Sequence, residues 1–449
     1  MKLLTLGDAA EACGGKYFGE KPMMTSAIKN VVIDSRLAEE GSLFVAIKGE
    51  RTDGHLYINK AYELGALCVL SEKELDTDKP YILVKSSEQA IKDIAEYYRS
   101  LFCNIEVVGI TGSVGKTSTK EMIASVLSQE FAVHKTQGNF NNELGVPLTL
   151  LAMPEDTEVA VVEMGISDFG EMTRLSKMVR PTACVFTNIG CCHLENLKDR
   201  DGVLKAKTEM LSYAEDDALV FVNGDDDKLV TVENVTARYG LGKNNDYYAE
   251  NIENTGENSV SCTLCFDGKR LDVTIPALGN YMVANALGAA AVGKALNMSD
   301  ENIVKGIAEY ETVGSRANLV TTEILRIIDD CYNANPTSVK AAIETLCNMK
   351  GGRKVAVIGD MKELGEKEIE LHAEVGAYAK KCGVDVVVTV GALAKAISDN
   401  AEGVETHHFD TVEQAVEELD TILHKDDTVL VKASHSMHFE KIVESLKEL

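Results

Sequence analysis

Thr111-Gly112-Ser113-Val114-Gly115-Lys116-Thr117-Ser118 restricts the fold of this chain more than any other stretch. It follows a strand-like run at 105–110 and opens a helix-like one in which Met122, Ile123, Val126 and Leu127 share a face. A strand, a glycine-rich turn and a helix N-terminus in that order close backbone N–H groups around phosphate oxygens, and the helix end adds positive potential. On this reading Gly112, Ser113, Gly115, Lys116, Thr117 and Ser118 bind a nucleotide. Lys116 reaches the β/γ phosphates and Thr117 offers its hydroxyl to Mg²⁺. The spacing is not the general G-x-x-x-x-G-K-[ST], because position 110 is Ile; it is the shorter T-G-S-x-G-K-T. A chance G-K-T in a surface turn is the competing reading, and the flanking strand and helix count against it. An α/β sheet carrying a nucleoside triphosphate is therefore expected.

At 449 residues the chain exceeds a single core, so roughly two to four domains are expected. No window approaches the roughly 18 apolar residues of a membrane helix. Residues 1–8 lack the apolar core and cleavage site of a secretory signal, so a cytoplasmic protein is expected, without membrane insertion. The eleven cysteines are odd in number and scattered, and read as reduced thiols. Cys262 and Cys265 fall in the alternation Val260, Cys262, Leu264, Phe266, which favours a plain strand over a zinc site. A formal net charge of −26 argues against a nucleic-acid partner. It also requires that local N–H groups, lysines, arginines and Mg²⁺ overcome a global repulsion if a nucleotide binds.

Three segments separate by pattern: residues 1–85, 86–313 and 314–449. The first has strand-like runs at 30–34, 42–47, 66–70 and 81–84, with a helix at 55–64. The second begins with a helix at 89–101 and the phosphate loop. It continues through apolar runs at 159–164, 184–188 and 218–223, as parallel βα units do, and is interrupted at 240–275 by short β-like runs. The third reads βα repeatedly: strands at 325–329, 354–359, 385–390 and 428–432, and helices at 336–348, 369–382, 392–400, 411–423 and 438–446. That is a doubly wound, Rossmann-like sheet, whose ligands bind at the carboxyl ends of the strands. The fold class is thus α/β in three domains.

Within the second segment Glu163 ends a buried strand-like run, where a phosphate-loop domain places a Mg²⁺-binding acid; a solvent-facing strand end is the alternative. His193 alone reads as structural, and Lys207 alone reads as a solvated helix lysine. Their neighbours change this. The first segment carries Asp34-Ser35-Arg36, Gly41 to Gly49 and Arg51-Thr52-Asp53-Gly54-His55. The second carries Gly138-Asn139-Phe140-Asn141-Asn142-Glu143-Leu144-Gly145-Val146-Pro147, Glu163-Met164-Gly165 and Ala206-Lys207-Thr208-Glu209. The third carries Tyr332-Asn333-Ala334-Asn335-Pro336 and Gly359-Asp360-Met361-Lys362-Glu363-Leu364-Gly365. With these motifs in this order the chain resembles the Mur ligases over essentially its whole length, most closely the UDP-N-acetylmuramoyl-tripeptide–D-alanyl-D-alanine ligase (MurF) family.

The resemblance implies an ATP-dependent amide ligase of peptidoglycan precursor synthesis, and so of cell-wall biogenesis. A small N-terminal α/β domain would bind the UDP-sugar, a central domain ATP, and a C-terminal ligase domain would close the site. The partners implied are UDP-N-acetylmuramoyl-tripeptide and D-alanyl-D-alanine, and a monomer is expected. Lys116, Glu163, His193 and Lys207 would be catalytic, with ATP and two Mg²⁺ sites. Thr117, Glu163, His193 and a carbamylated Lys207 would hold the metal. Asn285, Arg316 and Asp330 would join the phosphate loop around ATP. Ser35, Arg36, Asp53, Gly54, His55, Asn139, Asn142, Asn333 and Asn335 would meet substrate. An Asx-rich turn at Asn139–Asn142 and a helix cap at Asn335 are the plainer readings.

Four places depart from the family pattern. Tyr281 and Met282 stand where G-x-H-N-x-x-N-A has His and Asn, Ser315 replaces the Gly before Arg316, Cys191-Cys192 precede His193, and His435 replaces the Arg of K-G-S-R. The last removes a permanent charge and a bidentate donor. His435 and His438 read as a helix start rather than a metal site. A divergent paralogue with another acceptor, or a nucleotide-binding relative without turnover, is the alternative; retention of Lys116 and Glu163 counts against the second.

Overall fold

The computed structural model describes residues 4–255 and 258–449 and places four β-sheets along the chain. The first sheet has five strands in the order Lys16–Phe18, Tyr81–Leu83, Cys68–Ser71, Ser42–Val45 and Asn30–Val32, parallel except for the first. The second is entirely parallel, in the order Ala237–Tyr239, Leu219–Asn223, Ala183–Phe186, Glu106–Thr111, Val159–Glu163 and Val133–Lys135. An antiparallel three-stranded sheet, Tyr248–Asn254, Val260–Phe266 and Lys269–Ile275, follows it. Cys262 and Cys265 lie in its middle strand, as their alternation predicts.

The second sheet is covered on both faces. Val107, Ala160, Val162, Cys184 and Phe186 pack to one side, and Val108, Ile110, Val161, Val185 and Phe221 to the other. Two buried faces are why these strands read as continuous apolar runs. The last sheet has the order Asn318–Thr321, Leu325–Asp329, Asp427–Lys432, Lys354–Gly359, Val386–Val390 and Glu405–Phe409, parallel except for the first. Helices Pro336–Asn348 and Glu368–Cys382 cover one face through Val339 and Val375, and Val412–Ile422 and Glu440–Lys447 the other through Leu419 and Ile442. This is the doubly wound arrangement expected. Helix Ser87–Ser100, capped by Ser86 on the Gln89 N–H, buries Ile91, Ile94 and Tyr98, and joins the cores of the first two sheets.

Two expected helices differ. Residues 55–64 split into a 3₁₀ turn, Gly54–Tyr57, and a helix, Ile58–Glu63, because Asp53 caps the His55 N–H and tightens the start. Of 392–400 only Lys395–Asp399 is helical. Gly391 turns at φ +104°, and the Asp360 carboxylate accepts the Leu393 and Ala394 N–H groups, so the preceding residues are tied to Asp360 instead. Among the described residues no helix is long and apolar enough to cross a membrane.

Candidate active site

The phosphate loop leaves the carboxyl end of the strand Glu106–Thr111 and enters the helix Lys116–Leu127. Gly115 is the residue before that helix, at φ +83°, a left-handed turn that side chains resist. A Cβ on Gly112 would fall 1.9 Å from Thr187 Oγ1, so only glycine lets the loop lie against the neighbouring strand end. From that strand end, Thr187 Oγ1 donates to Val114 O (2.6 Å), and Asn188 both accepts from Val114 N–H (2.9 Å) and donates to Val114 O (3.0 Å). Ser113 Oγ accepts from Gly190 N–H (2.8 Å) and lies 3.1 Å from Cys192 Sγ. Lys116 Nζ donates to Gly112 O at 2.8 Å, folded over its own loop. Ser118 faces the Tyr310 phenol, one turn into the helix.

Glu163 ends the adjacent strand, Val159–Glu163, and is 1% exposed. Its carboxylate accepts from Thr117 Oγ1 (2.8 Å) and Asn141 Nδ2 (2.7 Å). Both donors are neutral, and among the described residues no lysine or arginine pairs with it. A buried carboxylate without a counter-ion, with a hydroxyl and an amide beside it, suits a hard cation with oxygen ligands. Of the three nearby asparagines, Asn141 is the one at this carboxylate. Asn142 Oδ1 accepts from Gly145 N–H (2.8 Å) at a helix start, and Asn139 is exposed.

Lys207 is on the helix Arg200–Thr208 and is 1% exposed. Among the described residues its ammonium has no hydrogen-bond acceptor. Burial, with Lys116 nearby, pushes it down to about 8. Its companion Glu209 accepts from the Gly170 N–H (2.9 Å) and Thr173 Oγ1 (3.0 Å), capping the helix Glu171–Val179. His193 has φ +51°, and its Nδ1 is buried without a well-directed hydrogen bond, although Glu363 Oε2 lies 2.6 Å away.

On the last sheet, Asp330 follows the strand Leu325–Asp329. Its carboxylate accepts from Lys432 Nζ (2.6 Å) and from the Ala317 N–H (3.1 Å). Burial raises Asp330 above the usual carboxylate range, against the pull of Lys432. Arg316 lies over the Tyr332 ring, 3.9 Å from its centroid, and His435 tilts against the same ring at 5.4 Å. Asn333 is exposed; its Oδ1 accepts from the Ala334 N–H (2.9 Å), and its backbone carbonyl accepts from Lys432 Nζ (2.9 Å). Asn335 forms a reciprocal capping pair with Ser338 at the head of Pro336–Asn348.

The first sheet carries a third group. Asp53 Oδ1 accepts from His55 Nδ1 (2.6 Å), its Oδ2 from Lys73 Nζ (3.0 Å), and His55 Nε2 accepts from the Glu72 N–H (3.0 Å). These partners hold Asp53 far below the usual carboxylate range and fix His55 in one tautomer. The Gly54 N–H donates to Ile47 O (2.8 Å), Ser35 is buried, and Arg36 extends into solvent beside Asp34 (2.6 Å).

Comparison with known proteins accounts for the pattern. A model described as Mur ligase family, catalytic domain, matches residues 27–109. The Mur ligase middle domain matches 110–293, and the Mur ligase, glutamate ligase domain, matches 315–435. The chain belongs to the Mur ligase family. It is 38% identical over 435 residues to a UDP-N-acetylmuramoyl-tripeptide–D-alanyl-D-alanine ligase of Bacillus subtilis, covering 94% of each chain. With its namesake in Escherichia coli identity is 36%, over 93% of each. In structure it is similar to MurF from Acinetobacter baumannii, with a TM-score of 0.91 at 32% identity and 100% coverage of both chains. It is also similar to a MurF ligase from Thermotoga maritima solved in complex with ADP, with a TM-score of 0.83 at 30% identity, over 93% of this chain and 97% of that one.

In this Mur ligase the departures from pattern have physical addresses. Met282 is 2% exposed, and its Sδ accepts from Asn285 Nδ2 (3.3 Å), while Asn285 Oδ1 accepts from Thr119 Oγ1 (3.0 Å). Asn285, on the helix Tyr281–Ala295, is thereby tied to the helix that follows the phosphate loop. His435 tilts against Tyr332 where arginine is expected, and an imidazole lacks arginine's permanent charge and bidentate fork. Thr187 and Asn188, which clamp the loop, were not among the expected site residues. Their signal was the position of Thr187-Asn188 at the end of a buried run beside the loop strand.

Proposed function

We propose that this Mur ligase joins D-alanyl-D-alanine to UDP-N-acetylmuramoyl-tripeptide at the expense of ATP, in the synthesis of peptidoglycan precursor. One observation carries the reading beyond nucleotide binding. A buried lysine without an acceptor and a buried carboxylate without a counter-ion flank the same phosphate loop. A site so built is completed by ions and phosphates.

In this reading a tripeptide carboxylate oxygen attacks the γ-phosphorus, the bond to the β,γ-bridging oxygen breaks, and ADP leaves. The amine of the dipeptide then attacks the acyl carbon, phosphate departs, and the nitrogen loses a proton. Lys116 and the loop N–H groups hold the transferred phosphoryl group, where charge develops. Thr117, Glu163, His193 and Lys207 are the groups that would hold Mg²⁺ at two sites. Bound there, Mg²⁺ would screen the two anions from each other and polarise the phosphoryl oxygens.

The Lys207 amine, neutral in part near neutral pH, adds to the carbon of CO₂ and loses a proton. The resulting carbamate turns a cation into an anion able to bind metal. Ser35, Arg36, Asp53, Gly54 and His55 hold the UDP-sugar, with Asn139 and Asn142 beside the approaching peptide. Asn285, Arg316 and Asp330 serve the nucleotide, and Asn333 and Asn335 line the dipeptide approach. The units are residues 1–85, 86–313 and 314–449, acting as a cytoplasmic monomer without nucleic acid.

The test is direct. Purified protein with Mg-ATP, the UDP-sugar tripeptide and D-alanyl-D-alanine should release phosphate, ADP and the pentapeptide product. A panel of other dipeptides and depsipeptides run beside it reads acceptor choice. No phosphate above background with any acceptor would sink the reading.

A further inference from the structure

The G-D-M-K-E-L-G stretch, Gly359–Gly365, has no part in the chemistry above, yet its geometry points one residue into the site. Asp360 is held by the Leu393 and Ala394 N–H groups (3.0 and 2.8 Å), and Met361 donates its N–H to Nε2 of the buried His372 (2.9 Å). Met361 and Leu364 are 0% and 1% exposed. With its ends fixed in this way, the loop turns Glu363 outward at φ +63°, a conformation rare for a side-chain-bearing residue. Across the seam His193 is also left-handed, at φ +51°. The two meet twice: the Leu194 N–H donates to Glu363 O at 3.0 Å, and Glu363 Oε2 lies 2.6 Å from His193 Nδ1. Gly365 sits against the backbone of Glu195, 3.5 Å from where a Cβ would project, so the loop rests flat on this turn.

Two unfavourable backbone conformations that face each other and share contacts between separate sheets indicate a contact that the surrounding structure enforces. The buried Nδ1 needs an acceptor, and Glu363 is the acceptor within reach; only the direction of the N–H is unsatisfied. We infer that Glu363 is a positioning residue: its carboxylate orients His193 so that Nε2 is presented to the cation, and it makes that orientation depend on docking of the C-terminal unit. A carboxylate behind a metal-binding histidine fixes the ring and raises its basicity, and its loss typically costs about 10–100-fold in metal affinity or activity. This inference rests on the reading of His193 as a cation ligand.

The experiment measures Mn²⁺ binding, by the EPR signal of free Mn²⁺, with a non-hydrolysable ATP analogue present. It compares wild type with E363Q, E363D and H193A. E363Q should weaken Mn²⁺ binding about 10-fold, E363D should recover most of it, and the thermal midpoint of E363Q should equal that of wild type, because the side chain is exposed. In turnover, kcat should fall while the KM for the UDP-sugar tripeptide stays unchanged. If H193A weakens Mn²⁺ binding and E363Q leaves it within about twofold, the inference is wrong and the reading of His193 stands. If H193A leaves Mn²⁺ binding unchanged, the reading of His193 fails and takes the inference with it. Tighter binding in E363Q would show that Glu363 obstructs the site, and would overturn the inference alone.

Discussion

Replacing Lys207 by methionine should separate stability from turnover. The ammonium sits in a pocket without an acceptor, and burial pushes it from 10.5 down to about 8. Below pH 8 both folded and unfolded chains carry the proton, and the folded chain bears the full cost of the buried charge. At 1.36 kcal/mol per tenfold this comes to about 3 kcal/mol. As pH rises from 8 toward 10.5 the folded amine is neutral while the unfolded one still binds a proton. Stability therefore climbs with pH, and at pH 9.5 roughly 1.5 kcal/mol of the cost remains.

Methionine fills a similar volume without the charge, and an imperfect fit costs under about 1.5 kcal/mol. The Lys207→Met protein should thus be about 2 kcal/mol more stable than CO₂-free wild type at pH 7, with most of the advantage gone at pH 9.5. Chains of several domains need not unfold in one step. The comparison is therefore read as hydrogen exchange of the helix Arg200–Thr208 alongside thermal unfolding. Ligase turnover should be lost in Lys207→Met, and in Lys207→Ala it should return in part with acetate or propionate, which offer the missing carboxylate. A methionine variant less stable at pH 7, or an advantage independent of pH, would refute the unpaired buried charge. Normal turnover in Lys207→Ala would refute the carbamate.

Glu163→Gln should keep the fold, since Thr117 Oγ1 can still donate to the amide oxygen, while phosphate release falls about 10²-fold or more for want of the anion; circular dichroism and a phosphate assay check both. Asn335→Ala should cost about 1 kcal/mol through the lost cap on Pro336–Asn348, read in a thermal melt. A rise in dipeptide KM beyond threefold in the same variant would show that Asn335 meets substrate as well as capping.

The interior of the fold was legible because two-sided burial writes itself into the sequence. Strands Leu325–Asp329 and Lys354–Gly359 and helix Pro336–Asn348 have the bounds the pattern predicts. The edges were not. Lys16–Phe18 and Glu405–Phe409 border their sheets, and Glu405, Thr406, His407 and His408 leave no apolar run to read. In the site, the phosphate loop is local, eight residues in a row, and so it could be read directly. Asn141 at Glu163 and Glu363 at His193 join residues far apart in the chain, which no spacing rule reaches. Lys207 taken without its neighbours reads as solvated for a different reason. It lies four residues after the buried Val203 and one after the buried Ala206, so helical periodicity places it on the inner face. Its charge outweighed its position in the reading.

Unpaired cations at the site explain how a chain of net charge −26 can hold a polyanion. The acids near the site are mostly occupied: Glu143 by Lys92 and Arg174, Glu121 by Lys120 and Lys135, and Asp227 by Arg200. Lys116, by contrast, has no ion-pair partner among the described residues and donates to the Gly112 carbonyl of its own loop. Arg316 rests on an aromatic face rather than a carboxylate. The free protein thus keeps Lys116 and Arg316 without carboxylate partners among the described residues. Phosphate can then bind without an existing ion pair first being broken. Pairing Lys116 with an acid in the free state would make the fold more stable and the nucleotide site weaker, which is the trade-off expected where function needs unsatisfied charge.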